Sequence, residues 1–418
     1  MTSQLARRIA VTLGLLFVYR LGTYVPLPGV DVAVWMEILK SQPNGVLAQA
    51  DQLSGGAVGR LSIFSISIVP YVTSAIFVQL ALMVSRRLKA IRDQGERGRQ
   101  RIEQTTRVAT AILAAFQAYG VAGGLEGLSS VVAAPPGPLF VPTITLTLTA
   151  GVLFQVWLSR QITVHGIGNG LALFLFAGVA TQLPYDIVAT VELARIGTIS
   201  PRAELGFFVI AVAVTALIVA MERAQLQLKV RFAARQAGDR ALPEQSVHLV
   251  YRLNQAGIMP ISIAALFPTI LVLMISVAAA VVGYDRIVPH TGSLIEAISP
   301  GTSTHLAVTV VLTLLFVFIY TAFVCDPADA AEKLKARRGV IDDVAAGEPT
   351  ANYLDGVLTR TAVIGAIYLG VVTILVPEIL RMIVPFAPLY VDGISLLILV
   401  CVTLDIEAQV RGLMARQA

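Results

Sequence analysis

The chain has 418 residues, 56% of them hydrophobic, with a mean hydropathy of +0.78 and only 14% charged residues, where an average soluble domain carries about 25%. That balance excludes an ordinary water-soluble enzyme, a disordered chain and a coiled coil, and leaves a polytopic membrane protein. The formal charge of +5 is small for this length, so where the charges fall says more than their sum.

Ten apolar segments follow in chain order, at about 9–27, 61–85, 107–124, 140–159, 168–188, 205–222, 256–282, 305–325, 361–380 and 393–410. Each is long enough to cross a hydrocarbon layer of roughly 30 Å as a helix. Lipid offers no partner to a sheet edge, so an all-α fold is expected. The runs are solidly apolar and lack the alternation of a membrane β-barrel. Arg7 and Arg8 precede the first segment with no small-residue cleavage site after it, which reads as a retained span.

With the N-terminus taken as cytoplasmic, 24 of the 31 Lys and Arg fall on the cytoplasmic side. The others are Arg20, Lys40, Arg60, Arg195, Arg202, Arg286 and Arg381. This bias fits ten spans with both termini inside, and a miscount by one span would scramble it. The segment of about 28–60 is long, with Pro28, Gly29, Gly45, Ser54, Gly55, Gly56 and Gly59, and runs straight into the second span. A short Gly-rich element of this kind can re-enter the membrane where protein surrounds it. Three basic loops face the cytoplasm, at about 86–106, 223–255 and 326–360. The last two exceed what orientation needs. Their charge would attract acidic lipid, RNA or an acidic partner protein.

No catalytic set appears: there is no GxSxG, HExxH or P-loop, so neither an enzyme nor a cofactor is expected. The two cysteines, Cys325 and Cys401, and the four histidines do not cluster as metal ligands. Gly166-Ile167-Gly168-Asn169-Gly170 follows no strand and reads as close helix packing, not a phosphate site. Glu222, Asp326 and Asp405 fall near span ends, whereas an ion-coupled transporter places ionisable groups near the midplane. Ser65, Ser67, Thr73, Ser74, Gln79, Thr110, Gln117, Asn254 and Ser262 give the spans mild polarity. They serve either as interhelical hydrogen bonds or as a seam that opens.

Several stretches resemble the SecY family of protein-conducting channels. Leu53-Ser54-Gly55-Gly56-Ala57, Ser62-Ile63-Phe64 and Ile68-Val69-Pro70-Tyr71-Val72 are similar to its plug and second helix. Arg20-Leu21-Gly22 with Val25-Pro26-Leu27-Pro28-Gly29-Val30-Asp31 is similar to the end of its first helix. Gly95-Glu96-Arg97-Gly98-Arg99 and Gln104-Thr105-Thr106-Arg107 resemble its second-to-third loop, and Gly166 to Gly170 the start of its fifth helix. Asn254-Gln255-Ala256-Gly257-Ile258-Met259-Pro260 resembles the start of its seventh. Pro349-Thr350-Ala351, Tyr353 and Arg360 resemble its ninth, and Gly393 with Ser395-Leu396-Leu397-Ile398 its tenth. The resemblance covers nearly the whole chain in order.

It implies a clam shell of two inverted five-helix halves, here 1–195 and 196–418, hinged near 189–204. A lateral gate is implied beside the second and seventh helices. The pore ring would be Ile68, Val72, Leu171, Leu175 and Ile398. The sixth position falls on Ser262, where the family usually has a large aliphatic residue, and this implies a more polar seal. Residues of about 50–60 would form a short re-entrant plug helix carrying Leu53, Ser54, Gly55 and Gly56. Gln79, Thr110 and Asn254 would form the polar cluster of the gate. Arg240, Lys333, Lys335, Arg337, Arg338 and Arg360 would dock a SecA motor or a ribosome. The family's paired basic tip is replaced here by Asp239-Arg240, and Ala345 stands where the family usually has an Arg.

The resemblance also implies small SecE-like and SecG-like membrane subunits, unfolded preprotein substrates and a multi-pass place in the lipid bilayer of a bacterial inner membrane. Three functions stay open on the sequence. The first is the passive pore of a Sec translocase. The second is a divergent accessory or non-conducting relative, suggested by Ala345. The third is a secondary transporter.

Overall fold

The structure, a computed structural model, describes residues 3–40, 50, 51, 54–85, 88, 90, 91, 94–128, 130–132, 137–232, 235–237, 240–242, 245–255, 257, 264, 302–324, 327–336, 339–341, 344, 345, 347–383 and 393–415. Helices α1 (Ser3–Gly22), α2 (Val32–Lys40), α3 (Val69–Val84), α4 (Glu96–Glu126), α5 (Phe140–His165), α6 (Gly170–Arg195) and α7 (Pro201–Arg223) precede a run of strands. Then come α8 (Ser303–Val324), α9 (Pro327–Ala336), α10 (Glu348–Gly370), α11 (Val376–Ile383) and α12 (Gly393–Ala415). Helices run through every apolar segment read from the sequence except the seventh, 256–282, which lies outside the described residues save for Gly257 and Ala264. Among the described residues, six stretches are long and apolar enough to cross a membrane: α4, α5, α6, α7, Glu348–Leu380 and α12.

Two boundaries differ from the hydropathy reading. Helix α4 begins at Glu96, eleven residues or so before its apolar part. Its first turns carry Arg97, Gln100, Arg101, Glu103 and Gln104, straight-chain residues that favour helix yet leave no apolar signature. The second apolar segment is helical only from Val69, where Pro70 stands in the first turn, a position that needs no N–H. Residues 54–68 form turns instead. Within them Leu61 (φ 40°) and Ser67 (φ 57°) hold left-handed backbone, a conformation that costs of order 1–3 kcal/mol for non-glycine residues.

The purely helical expectation is corrected in the cytoplasmic loops. Strands β1 (Gln225–Phe232), β2 (Arg235–Ala237), β3 (Arg240–Leu242) and β4 (Gln245–Arg252) occupy the first long loop, and β5 (Gly339–Ile341) the second. Three of them form one antiparallel sheet in the order β4-β1-β5, with Val230 opposite both Val247 and Ile341. Gln227, Lys229 and Arg231 alternate with Leu228 and Val230, and only the latter pair is buried, as a half-buried strand requires. Leu228, Val230 and Ile341 pack on Leu354 and Val357 of α10. The two loops are therefore one folded body.

Helix α12 is the partition of the helical core. Leu397 and Val400 join a cluster with Phe207, Ile218 of α7 and Leu369 of α10. Ile398 and Val402, on another face, join Tyr19 of α1, Ile162 of α5 and Phe174 of α6. Glycine allows a close approach at Gly170, where a Cβ would fall inside the Ser159 carbonyl of α5. The Gly166–Gly170 run is thus a packing element. Between α10 and α11, residues Val371–Leu375 form a π-helical turn. Pro377 follows, and the looser turn accommodates a residue that cannot donate to the carbonyl four positions back.

Candidate functional site

The start of α6 is fixed from three sides. Asn169 caps it, accepting the Leu171 N–H at 3.0 Å. Ile167 N donates to Thr12 Oγ1 of α1 at 2.9 Å, and Gly168 N donates to Gln409 Oε1 of α12 at 2.8 Å. Leu171 and Leu175 are one turn apart on a single face. At the start of α3, Val72 N donates to Ile68 O at 3.2 Å, so these two share the helix's first turn. Ile68 and Ile398 are buried in one apolar cluster, with Val72, Leu171 and Leu175 packed against it. Val72, Leu171, Leu175 and Ile398 together line a cavity of about 660 Å³. The same cavity is also lined by Glu222, Arg223, Arg252, Asp405, Glu407 and Arg411. The lining of this one cavity therefore joins aliphatic and charged side chains. A narrow aliphatic constriction excludes water and ions by dewetting. Ser262 lies outside the described residues.

The segment expected to be the plug, whose Ala57 packs in the same apolar cluster, is held by polar groups on its backbone. Residues 54–60 form turns, not a regular helix, and Leu53 lies outside the described residues. Ser54, Ala57 and Val58 are buried. Ser54 Oγ accepts the Ala57 and Val58 N–H groups at 3.2 and 3.4 Å. The Gly55 carbonyl accepts from two guanidinium groups, Arg20 Nη1 at 2.5 Å and Arg60 Nη2 at 2.6 Å. Gly55 and Gly56 have φ of +67° and +85°, and at Gly55 a Cβ would also press on Gly178 of α6. Both guanidinium groups lie over the Tyr24 ring, 4.9 and 4.3 Å from its centroid. Arg60 Nε also donates to Thr23 O at 3.0 Å. From α2, Trp35 Nε1 donates to Val58 O at 2.9 Å. Asp51 Oδ1 accepts the Gly59 N–H at 2.6 Å. Burial raises the Asp51 pKa, against the lowering effect of that N–H and of Arg60. Burial, with Arg20 nearby, lowers the Arg60 pKa.

The three expected gate residues stand on different elements. Gln79 is half-buried on α3. Thr110 is buried on α4 and donates to Thr106 O of its own helix at 2.7 Å. Asn254 is buried and donates to Glu222 Oε1 at 2.8 Å. Of the expected docking residues, Lys335 and Arg360 are exposed, and Lys333 is paired with Asp329 at 2.5 Å. Arg240 opens β3, while Arg337 and Arg338 lie outside the described residues. Sequence reasoning missed Trp35, Arg60 and Arg20 as contacts of residues 54–60. Two of them were visible as cations on the sparsely charged side.

The profile of the SecY family matches residues 62–407. The chain is 37% identical over 415 residues to protein translocase subunit SecY of Escherichia coli (strain K12), covering 98% of this chain and 92% of that one. It is 36% identical over 412 residues to protein translocase subunit SecY of Vibrio cholerae serotype O1, covering 98% and 91%. In fold it is similar to a solved protein-conducting channel, with a TM-score of 0.64 at 14% identity over 98% of this chain and 92% of that one. It is also similar to Sec61 in the canine ribosome–channel complex from the endoplasmic reticulum, with a TM-score of 0.61 at 13% identity over 98% and 92%. Fold and site together define a mostly helical, multi-pass membrane protein of the protein-conducting channel class. The chain belongs to the SecY family.

Proposed function

We propose that the chain is the central pore subunit of a Sec translocase, a passive channel for unfolded preproteins that also releases apolar segments sideways into lipid. The aliphatic residues that meet at one cavity carry this reading. Val72, Leu171, Leu175 and Ile398 line one cavity, contributed by three helices far apart in sequence. Branched aliphatic side chains make no directional bonds to trap a passing chain, yet they exclude ions when idle. Ile68 and Ser262 complete the ring in this reading. The seal is reinforced by a plug around Ser54, Gly55 and Gly56, which the Arg20 and Arg60 contacts to Gly55 support.

Ten spans in two halves, 1–195 and 196–418, with Gln79, Thr110 and Asn254 at a lateral gate between them, complete the architecture. The separate apolar clusters on the two faces of α12 support such a division. The chain has no nucleotide-binding motif, so work is supplied by a partner, a SecA motor or a ribosome. The two basic cytoplasmic loops form the docking surface, with Arg240, Lys333, Lys335, Arg337, Arg338 and Arg360 as its basic residues, and the sheet that joins these loops supports one platform. Small SecE-like and SecG-like subunits complete the complex. The setting is a bacterial inner membrane with both termini in the cytoplasm, as 24 of the 31 basic residues on one side support.

The test is reconstitution of the purified complex into vesicles, with an unfolded secretory chain and either SecA with ATP or translating ribosomes. Protease protection of the chain inside the vesicles is expected with at least one of the two. No protection with either, alongside proton- or sodium-driven solute uptake, would overturn the reading in favour of a transporter.

A further inference from the structure

Helix α12 gives the cavity Ile398, Val402, Asp405, Ala408 and Arg411, residues spaced three or four apart on one face. At 1.5 Å per residue, Glu407 stands about 14 Å along the helix from Ile398. Along α12 the lining therefore changes from aliphatic to charged. The described lining holds three carboxylates, Glu222, Asp405 and Glu407, and three guanidinium groups, Arg223, Arg252 and Arg411. Their charges cancel, although 24 of the 31 Lys and Arg lie on the side read as cytoplasmic. Glu407 bridges two of the cations. Its Oε2 accepts from Arg223 Nη2 of α7 at 2.9 Å, and its Oε1 accepts from Arg411 Nη2, four residues further along α12. The two arginine side chains are 59% and 71% exposed, and that of Glu407 is 35% exposed. Glu222 is engaged apart from them, accepting from Asn254 Nδ2 at 2.8 Å.

A guanidinium presents a planar fork of donors that matches a carboxylate, and the pairing is charge-assisted. Two such forks on exposed stems beside the cavity would hold an acidic stretch of any chain passing them. Glu407 fills both forks from within the protein. An acidic side chain of a passing segment must displace it, and exchanges one carboxylate for another without a net gain in pairing. A basic side chain meets a carboxylate already compensated by two cations. We infer that Glu407 is a specificity-determining residue of the channel, which occupies Arg223 and Arg411 so that acidic segments pass the cavity without being held. This rests on the channel reading above and adds to it a rule for the charge of the cargo. A merely structural tie between α7 and α12 would act on every segment alike. Dependence on the sign of the segment's charge separates the two roles.

The experiment compares two versions of one secretory chain in vesicles holding the complex. One version carries a run of alternating Glu and Ser in its mature part, and the other a run of alternating Lys and Ser at the same place. The measured quantity is the ratio of acidic-insert to basic-insert transport rates. Glu407→Gln keeps the shape of the side chain but leaves the lining net positive. It is expected to lower the ratio about threefold to fivefold, the size of a half-exposed ion pair. Raised salt screens exposed charges and is expected to bring that ratio back toward wild type. The Glu407→Gln, Arg411→Gln double variant has a balanced lining again and is expected to recover most of it. A wild-type ratio in Glu407→Gln, even with both inserts slowed, would overturn the inference and leave Glu407 a structural tie. So would a lowered ratio that salt does not move. Arg411→Gln leaves the lining net negative and is expected to raise the ratio. It serves if Glu407→Gln does not fold, and an unchanged ratio there would overturn the inference equally. Failure of the wild type to move either insert, or the same chain without one, would instead overturn the channel reading.

Discussion

Replacing Arg60 by Ala removes the hydrogen bond to Gly55 O (2.6 Å), the one to Thr23 O (3.0 Å) and the stack over Tyr24 (4.3 Å). Hydrogen bonds from charged groups contribute about 1.5–3 kcal/mol each, and an exposed cation–π contact about 0.5–1. Two effects reduce the sum. Arg20 still donates to Gly55 O at 2.5 Å, so the carbonyl keeps a partner. The repulsion between the two guanidinium groups is also relieved. A net loss of roughly 2 kcal/mol remains, a shift of about thirtyfold toward a displaced plug. The assay is the ion conductance of the idle complex in a planar bilayer. Arg60→Ala is expected to raise the open fraction by about that factor. Arg60→Lys, a point charge without the planar fork, should fall between it and wild type. The Arg20→Ala, Arg60→Ala double variant should leak most, because Gly55 O then has neither guanidinium. Wild-type conductance in the double variant would refute the reasoning that these arginines hold the plug.

Trp35→Phe leaves Val58 O without its indole donor at 2.9 Å; a loss of about 1–2 kcal/mol is expected, read as a lower thermal unfolding midpoint in detergent, and an unchanged midpoint would contradict it. Gly170→Ala drives a Cβ into the Ser159 carbonyl; a cost of about 1–3 kcal/mol or more is expected for such overpacking, seen as early loss of the monodisperse peak on heating. Ser262→Ile should lower idle ion conductance if Ser262 is the polar member of the ring, and a wild-type conductance no higher than that of the variant would contradict that assignment.

The membrane helices were legible because lipid imposes a length and an apolar composition on them, and α5, α6, α7 and α12 begin within a few residues of their hydropathy bounds. The meeting of Val72, Leu171, Leu175 and Ile398 at one cavity came from resemblance, not hydropathy: Leu171 and Leu175 look like any packed pair, and only the tertiary fold brings them to Val72 and Ile398. The N-terminal turns of α4 were hidden because a polar helix carries no apolar stripe. The cytoplasmic sheet was hidden for a different reason. The alternation Leu226, Leu228, Val230, Phe232 is visible in the sequence, but β5 supplies only three residues from about a hundred positions away. Pairing across such a distance has no local signal. The contacts that hold residues 54–60 were hidden because they join side chains to backbone carbonyls, and a carbonyl has no sequence signature. Arg20 and Gly55 are 35 residues apart.

The pore assignment is tested most directly by a photo-crosslinking residue at Val72, which lines the cavity, with a secretory chain stalled during transport. A matched probe at Ile112, on a face 67% exposed, reports contact outside the pore. Strong crosslinks to the stalled chain from position 72 and few from position 112 are predicted. Equal labelling at both, or none at 72 while the chain is protected inside the vesicles, would contradict passage through this ring.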